Sequence, residues 1–210
     1  MPTSIVIQQA AQAAQTLILL FHGVGASAAD LVPLGQYLAR ALPQAQVVSV
    51  QAPHASDLGS GFQWFSVQGV TPANRAARVA QAMPAFEAAV ADWQRQAGVG
   101  PAATVIVGFS QGSIMALEST QLPAALAHRV VAIAGRFAQP PRQAPLAGSV
   151  HLLHGEQDGV IPAAEGRDAA ARLRDLGATV TLDLYPGLGH GVDARVADRI
   201  VKLLAPTPSR

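Results

Sequence analysis

Cysteine is absent from the 210 residues, which excludes disulfides, thiolate metal sites and cysteine nucleophiles together. Charge is scarce: Asp, Glu, Lys and Arg make up 13% of the chain. The 14 basic residues nearly balance the 13 acidic ones, giving a formal net charge of +1, and no Lys/Arg run occurs. Nucleic acid and anionic membrane surfaces are therefore not expected partners. A membrane-spanning run is lacking too. Thr16–Phe21 is far too short to cross a bilayer or to form a signal h-region, and Met1-Pro2-Thr3-Ser4 has no basic character. The expectation is a cytoplasmic protein without stable membrane insertion. The histidines form no i,i+4 pair, so neither a metal site nor a cofactor is expected.

What the chain does have is apolar residues, at 50%. That content suits central strands covered on both faces. Strand-like runs at 16–21, 46–50, 103–107, 128–134, 150–153 and 179–185 alternate with helical patterns. The first helix, over 30–42, sets Leu31, Leu34, Leu38 and Leu42 on one face. The second runs from Thr71, a cap followed by Pro72, to about 96. A third spans about 113–118, a fourth 163–176 with Gly177 as its C-cap, and a fifth 193–204. Residues 51–70 and 135–148 read as loops. This alternation predicts an α/β fold: a mostly parallel sheet with helices on both faces, in one domain over residues 1–210 and without a large lid. In such sheets ligands bind beyond the carboxyl ends of the strands.

The most specific motif lies at one such end. Gly108-Phe109-Ser110-Gln111-Gly112 follows an apolar strand and precedes a helix, which is the context of a nucleophile elbow. A serine at the tip of a sharp strand-to-helix turn exposes its hydroxyl, and the flanking glycines let strand and helix cross. The other strand ends carry His22-Gly23-Val24-Gly25, His154-Gly155-Glu156-Gln157-Asp158, and Gly187-Leu188-Gly189-His190. Ser110, Asp158 and His190 follow the chain order of α/β-hydrolases. Ser110 would attack an acyl carbon with His190 as its base. Asp158 would orient the imidazole, and the Val24 and Gln111 N–H groups would receive the oxyanion. The structural alternatives are a helix-capping Asp158 and a solvated loop histidine at 190. His22 and His154, each beside glycine after an apolar strand, suit structural hydrogen bonds better than direct catalysis. His54, His128 and His151 show no partner pattern.

The stretches Leu20-Phe21-His22-Gly23-Val24-Gly25, Trp64-Phe65, Gly108–Gly112, His154–Pro162 and Gly187–Gly191 together resemble the phospholipase/carboxylesterase family, which includes the acyl-protein thioesterases. The resemblance covers nearly the whole chain. It implies an α/β-hydrolase fold, a Ser110–Asp158–His190 triad and an oxyanion hole from Val24 and Gln111. Acyl-protein thioesterases commonly carry an acidic residue after the Trp-Phe pair and after the oxyanion-loop glycine, where this chain has Ser66 and Ala26. Phe62, Trp64, Phe65, Ile161 and Leu188 are candidates for a substrate pocket, while Phe109 and Met115 suit a pocket and the core equally.

The expected activity is that of a serine carboxylesterase acting on small acyl esters or thioesters through an acyl-enzyme. The alternatives are an acyl-protein thioesterase or lysophospholipase, and an inactive hydrolase-fold binding module. A dienelactone-hydrolase-like enzyme needs the absent cysteine, and a cofactor-free perhydrolase is not separated by sequence. The expected partner is a small acyl ester, with a homodimer left open.

Overall fold

The computed structural model describes residues 3–10, 14–146 and 148–205. In chain order its elements are β1 (Ile5–Gln8), β2 (Thr16–Phe21), α1 (Val32–Ala41), β3 (Ala45–Val50), β4 (His54–Ala55), β5 (Phe62–Gln63), α2 (Arg75–Ala97), β6 (Thr104–Phe109), α3 (Gln111–Ser119), β7 (Arg129–Ile133), β8 (Ser149–Gly155), α4 (Ala163–Asp175), β9 (Val180–Tyr185) and α5 (Ala194–Leu204). Seven strands form one sheet in the order β1-β3-β2-β6-β7-β8-β9, while β4 and β5 pair separately. β1 is antiparallel to β3, and the other neighbouring pairs of the large sheet are parallel.

Side chains alternate across this sheet, as the period of a strand requires. Leu17, Leu19 and Phe21 enter a core shared with Val79 and Phe86 of α2, Leu117 of α3 and Leu173 of α4. Ile18 and Leu20 enter a second core with Leu34 and Leu38 of α1 and Val196 and Ile200 of α5. The sheet is thus covered on both faces, which explains its continuous apolar runs. Among the described residues no helix is long and apolar enough to cross a membrane.

Beyond shifts of one or two residues at helix ends, such as α1 at Val32–Ala41 and α3 at Gln111–Ser119, four differences from expectation stand out. β1, a short edge strand with Val6 exposed, is not signalled by any long apolar run. The loop over 51–70 contains the β4–β5 hairpin, pairing His54 with Gln63 and Ala55 with Phe62. α2 starts at Arg75 rather than Thr71. Asn74 Oδ1 accepts the Thr71 N–H at 2.8 Å and its Nδ2 donates to Gly69 O at 2.9 Å, closing a separate turn ahead of the helix. β8 continues to Gly155, because His154 and Gly155 still pair with Leu184 and Tyr185 of β9. The strand therefore delivers the chain to within three residues of Asp158.

Beneath the end of β2 three rings pack together. Phe86 lies 4.4 Å from Phe21 and 5.2 Å from Trp64 between centroids, the second contact edge-on. Phe86 has no exposed surface. Phe86→Ala is expected to lower the unfolding free energy by about 3 to 5 kcal/mol, read from urea denaturation. A loss below about 1 kcal/mol would show that this cluster does not hold the two layers together.

Candidate active site

Ser110 stands alone between the last residue of β6 and the first of α3, at φ 53° and ψ −115°. For a residue with a β-carbon this is a strained conformation, costing on the order of 1–3 kcal/mol. Two backbone hydrogen bonds hold it: Ser110 N–H donates to Ile133 O, and Ile114 N–H to Ser110 O, both at 3.0 Å. The elbow is also wedged in place. A β-carbon on Gly108 would stand 2.5 Å from Gly112 O, and one on Gly112 would stand 2.2 Å from Phe21 O. The two motif glycines are there because backbone meets backbone.

Ser110, His190 and Asp158 are hydrogen-bonded in series. His190 Nε2 lies 2.9 Å from Ser110 Oγ, and His190 Nδ1 lies 2.8 Å from Asp158 Oδ2. With Nδ1 carrying the proton, Nε2 is free to accept the serine O–H. The Asp158 side chain is fully buried. Its Oδ1 accepts the N–H groups of Val160 at 2.8 Å and Ile161 at 2.9 Å. Burial pushes the Asp158 pKa up, but the hydrogen bonds from His190, Ile161 and Val160 outweigh it and hold the carboxyl below its ordinary value. Asp158 is thus a buried partner of His190 rather than only a loop or helix cap.

The two neighbouring histidines are braces. His22 Nδ1 donates to Gly23 O at 2.8 Å, so Nε2 accepts from Ala52 N–H at 3.1 Å and Gln51 Nε2 at 3.0 Å. Burial pushes the His22 pKa down, which keeps it in the neutral form that this acceptor role needs. His154 Nε2 donates to Ile161 O at 2.8 Å and stands 3.4 Å from Asp158 Oδ2, closing the turn that carries Asp158.

The loop after β2 passes directly over the serine: a β-carbon on Gly23 would lie 3.0 Å from Ser110 Cβ. Gly25, at φ 78°, turns the chain so that its N–H donates to Phe62 O at 3.0 Å. Among the described residues, neither Val24 N–H nor Gln111 N–H donates to a protein acceptor. Gln111 is the first residue of α3, where amides have no intrahelical partner and the helix dipole favours negative charge.

The side chain of Gln111 is an unforeseen part of the site. Its Oε1 accepts Trp64 N–H at 2.7 Å and its Nε2 donates to Phe65 O at 2.8 Å. One buried residue therefore offers a free backbone donor and clamps the segment that carries the aromatic pair. The sequence signal is a polar residue opening the helix after the elbow; that all nine residues of α3 are buried is visible in the structure.

The pocket candidates do not form a single wall. Trp64 is buried in the aromatic cluster and, with Phe65, borders a cleft of about 240 Å³ that also touches His54, Arg78 and Gln81. Phe62 bridges to Ala26, Ile161 packs into the first core and Leu188 against the second, all outside that cleft. Met115 is wholly core. Phe109 sits against His190, its ring centroid 5.1 Å from that of the imidazole. Among the described residues no group of three or more His, Asp or Glu side chains converges as metal ligands would.

The chain matches a family described as Phospholipase/Carboxylesterase over residues 2–206. It is 46% identical to Esterase YpfH of Escherichia coli (strain K12) over 190 residues, which is 90% of this chain and 82% of that protein. It is 29% identical to Acyl-protein thioesterase 1 of Gibberella zeae over 115 residues, 51% of this chain and 49% of that protein. Among solved structures, esterase PE8 superposes with a TM-score of 0.85 at 31% identity, covering 97% of this chain and 96% of that one.

Gln111→Leu leaves the Trp64 N–H and the Phe65 carbonyl buried without partners. We expect it to cost about 2 to 4 kcal/mol of stability, measured by thermal or urea unfolding. A change within about 0.5 kcal/mol would show that the clamp contributes nothing.

Proposed function

The chain belongs to the phospholipase/carboxylesterase family of α/β-hydrolases, and from that premise we propose that it hydrolyses small acyl esters through an acyl-enzyme formed on Ser110. Hydrolysis of carboxylic esters by a serine hydrolase is the activity of the family itself. The finer assignment is carried by one observation: the two hydrogen bonds, 2.9 and 2.8 Å long, that run from Ser110 through His190 to Asp158.

Ser110 Oγ attacks the carbonyl carbon while its proton passes to His190 Nε2. The C=O π electrons move onto oxygen, and the Val24 and Gln111 N–H groups receive the charge, each such donor being worth on the order of 3 kcal/mol in the transition state. Asp158 stabilises the imidazolium without taking its proton. When the intermediate collapses, the bond to the leaving oxygen breaks and His190 returns the proton to that oxygen. A water then repeats the attack on the acyl-serine, giving its proton to His190, and the acid departs as Ser110 is restored. A thioester would follow the same path with sulfur as the leaving atom. Ser66 and Ala26, where acyl-protein thioesterases carry acidic residues, favour small esters over acylated proteins. The assembled hydrogen-bond series and two unengaged amides weigh against an inactive binding module.

A fluorophosphonate probe is expected to label the protein, and the label to vanish in Ser110→Ala. Persisting label in that variant would refute Ser110 as nucleophile. On p-nitrophenyl esters of increasing acyl length we expect turnover of short chains, and a peak confined to long chains would overturn the small-ester assignment. Asp158→Asn removes the acceptor that fixes the tautomer and should lower kcat by about 10⁴-fold in a folded protein.

The pH dependence has two parts. kcat/KM should rise with pH as His190 loses its proton, because only the neutral ring accepts from Ser110. A profile that stays flat would dismiss His190 as base. Asp158 has a lowered folded-state pKa, so its stabilising contribution is complete above the ordinary carboxylate value and is lost as pH falls through the lowered one. Acid unfolding should therefore be less steep in Asp158→Asn than in the wild type.

A further inference from the structure

A groove of about 430 Å³ opens between α1 and α5, walled by Leu31, Leu34, Tyr37, Phe109, Val192 and Ala194. It backs onto the catalytic base proposed above. Phe109, the last residue of β6, contributes one face to the groove and packs against the His190 ring at 5.1 Å. Val192 and Ala194 follow His190 in the chain and form the opposite side. Tyr37 and Val192 leave 36% and 37% of their surface uncovered, more than their neighbours in the cores. Apolar surface of this kind gains free energy when a ligand covers it.

The chemistry of the reaction says which half of an ester belongs there. When the tetrahedral intermediate collapses, His190 Nε2 must reach the leaving oxygen, so the alkoxy portion lies on the His190 side. The acyl oxygen lies on the other, toward Val24 and Gln111. The polar lining adds a second criterion. It consists of Asp30, Asp193 and the Tyr37 hydroxyl, with no Lys, Arg or His. The Tyr37 hydroxyl donates to Asp198, Asp30 accepts from Ser27, and Asp193 accepts from Val196 and Arg195. A phosphate entering this groove would meet two carboxylates in its lining, and the cations at its edge are already engaged, Arg195 with Asp193 and Arg40 over the Tyr37 ring.

Building on the Ser110–His190–Asp158 assignment, we infer that this groove is the alcohol-side subsite and that it selects esters of neutral, apolar alcohols against those whose alcohol carries phosphate.

The test uses the full chain and two substrate series. In the first the acyl group is fixed as acetate and the alcohol runs from methanol to butanol. In the second the alcohol is fixed as p-nitrophenol and the acyl group lengthens. The wild type should gain on the order of tenfold in kcat/KM from methyl to butyl acetate, as added methylenes become buried. Ala194→Phe, which fills the groove from an exposed position at the start of α5, should abolish that gain and keep the dependence on acyl length. Val192→Ala, which trims the same wall, should reduce the gain. If the gain survives in both variants, or if the acyl dependence collapses instead, the groove is not the alcohol subsite. The charge criterion is read by comparing monohexanoylglycerol with hexanoyl lysophosphatidylcholine. The neutral ester should be favoured at least tenfold, and equal or faster turnover of the phosphate-bearing ester overturns the selectivity. Fluorophosphonate labelling separates the two levels. A labelled wild type without alcohol-length dependence defeats the groove alone, whereas an unlabelled wild type defeats the Ser110 assignment and the groove with it.

Discussion

The close approach of backbone to backbone where β6 turns into α3 governs the rest of this molecule. The first turn of α3 lies so near the end of β2 that a β-carbon at Gly112 would stand 2.2 Å from Phe21 O. That proximity fixes three things at once. It holds Ser110 in a left-handed conformation that the chain would otherwise avoid. It sets the Gln111 amide at the first position of α3, where it has no intrahelical partner. It also brings the Gln111 side chain to Trp64 and Phe65, whose segment rests on the ring cluster of Phe21 and Phe86. A larger residue at Gly112 would move α3, and Ser110, the Gln111 amide and the aromatic segment would move with it.

The parallel sheet supplies the second condition. Because β2, β6, β8 and β9 run in one direction, their carboxyl ends lie along one edge, and the segments after them meet there. Parallel strands alone do not fix loop geometry to a fraction of an ångström. Hydrogen bonds from side chains do that. His22 ties the exit of β2 to the exit of β3, and His154 ties the last turn of β8 to Ile161 beyond the Asp158 loop. Each donates from one ring nitrogen to a carbonyl. In His22 the second nitrogen accepts as well, a function that only a neutral imidazole performs.

What could be read from sequence divides along the same line. That Ser110, Asp158 and His190 would come together was legible because their positions depend on local grammar: a glycine-flanked serine after a strand, and an aspartate and a histidine in loops after later strands. The elements of the main sheet were legible for the same reason, except β1, whose four residues are identified as a strand only by pairing with β3. The β4–β5 hairpin, two residues a side, is likewise defined by its partner and not by a run of β-formers. Thr71 had the signature of a cap, but the helix begins four residues later with Asn74 before it, and the Asn74 side chain folds back onto Thr71 N–H and Gly69 O. The Gln111 clamp and the Phe109–His190 contact join residues 46 to 81 positions apart. Spacing along one chain carries no trace of such contacts. Trp64 illustrates the opposite error: an aromatic near a presumed site invites a pocket assignment, while its packing on Phe21 and Phe86 places most of it in the core.

The scarcity of charge bears on the chemistry. Asp158 is fully buried, yet among the described residues no Lys or Arg pairs with it, and the only ionisable partners in reach are His190 and, farther off, His154. Its negative charge is sustained by the Val160 and Ile161 amides on one oxygen, which leaves the other to His190. Backbone dipoles are fixed and carry no net charge, so they hold the carboxylate ionised without cancelling it. An arginine in their place would hold it as firmly but would neutralise it, and little attraction would remain for an imidazolium formed during attack. His154 donates to the Ile161 carbonyl and closes the turn. On the proposed mechanism, the carboxylate therefore keeps its full charge for the moment when His190 would become positive.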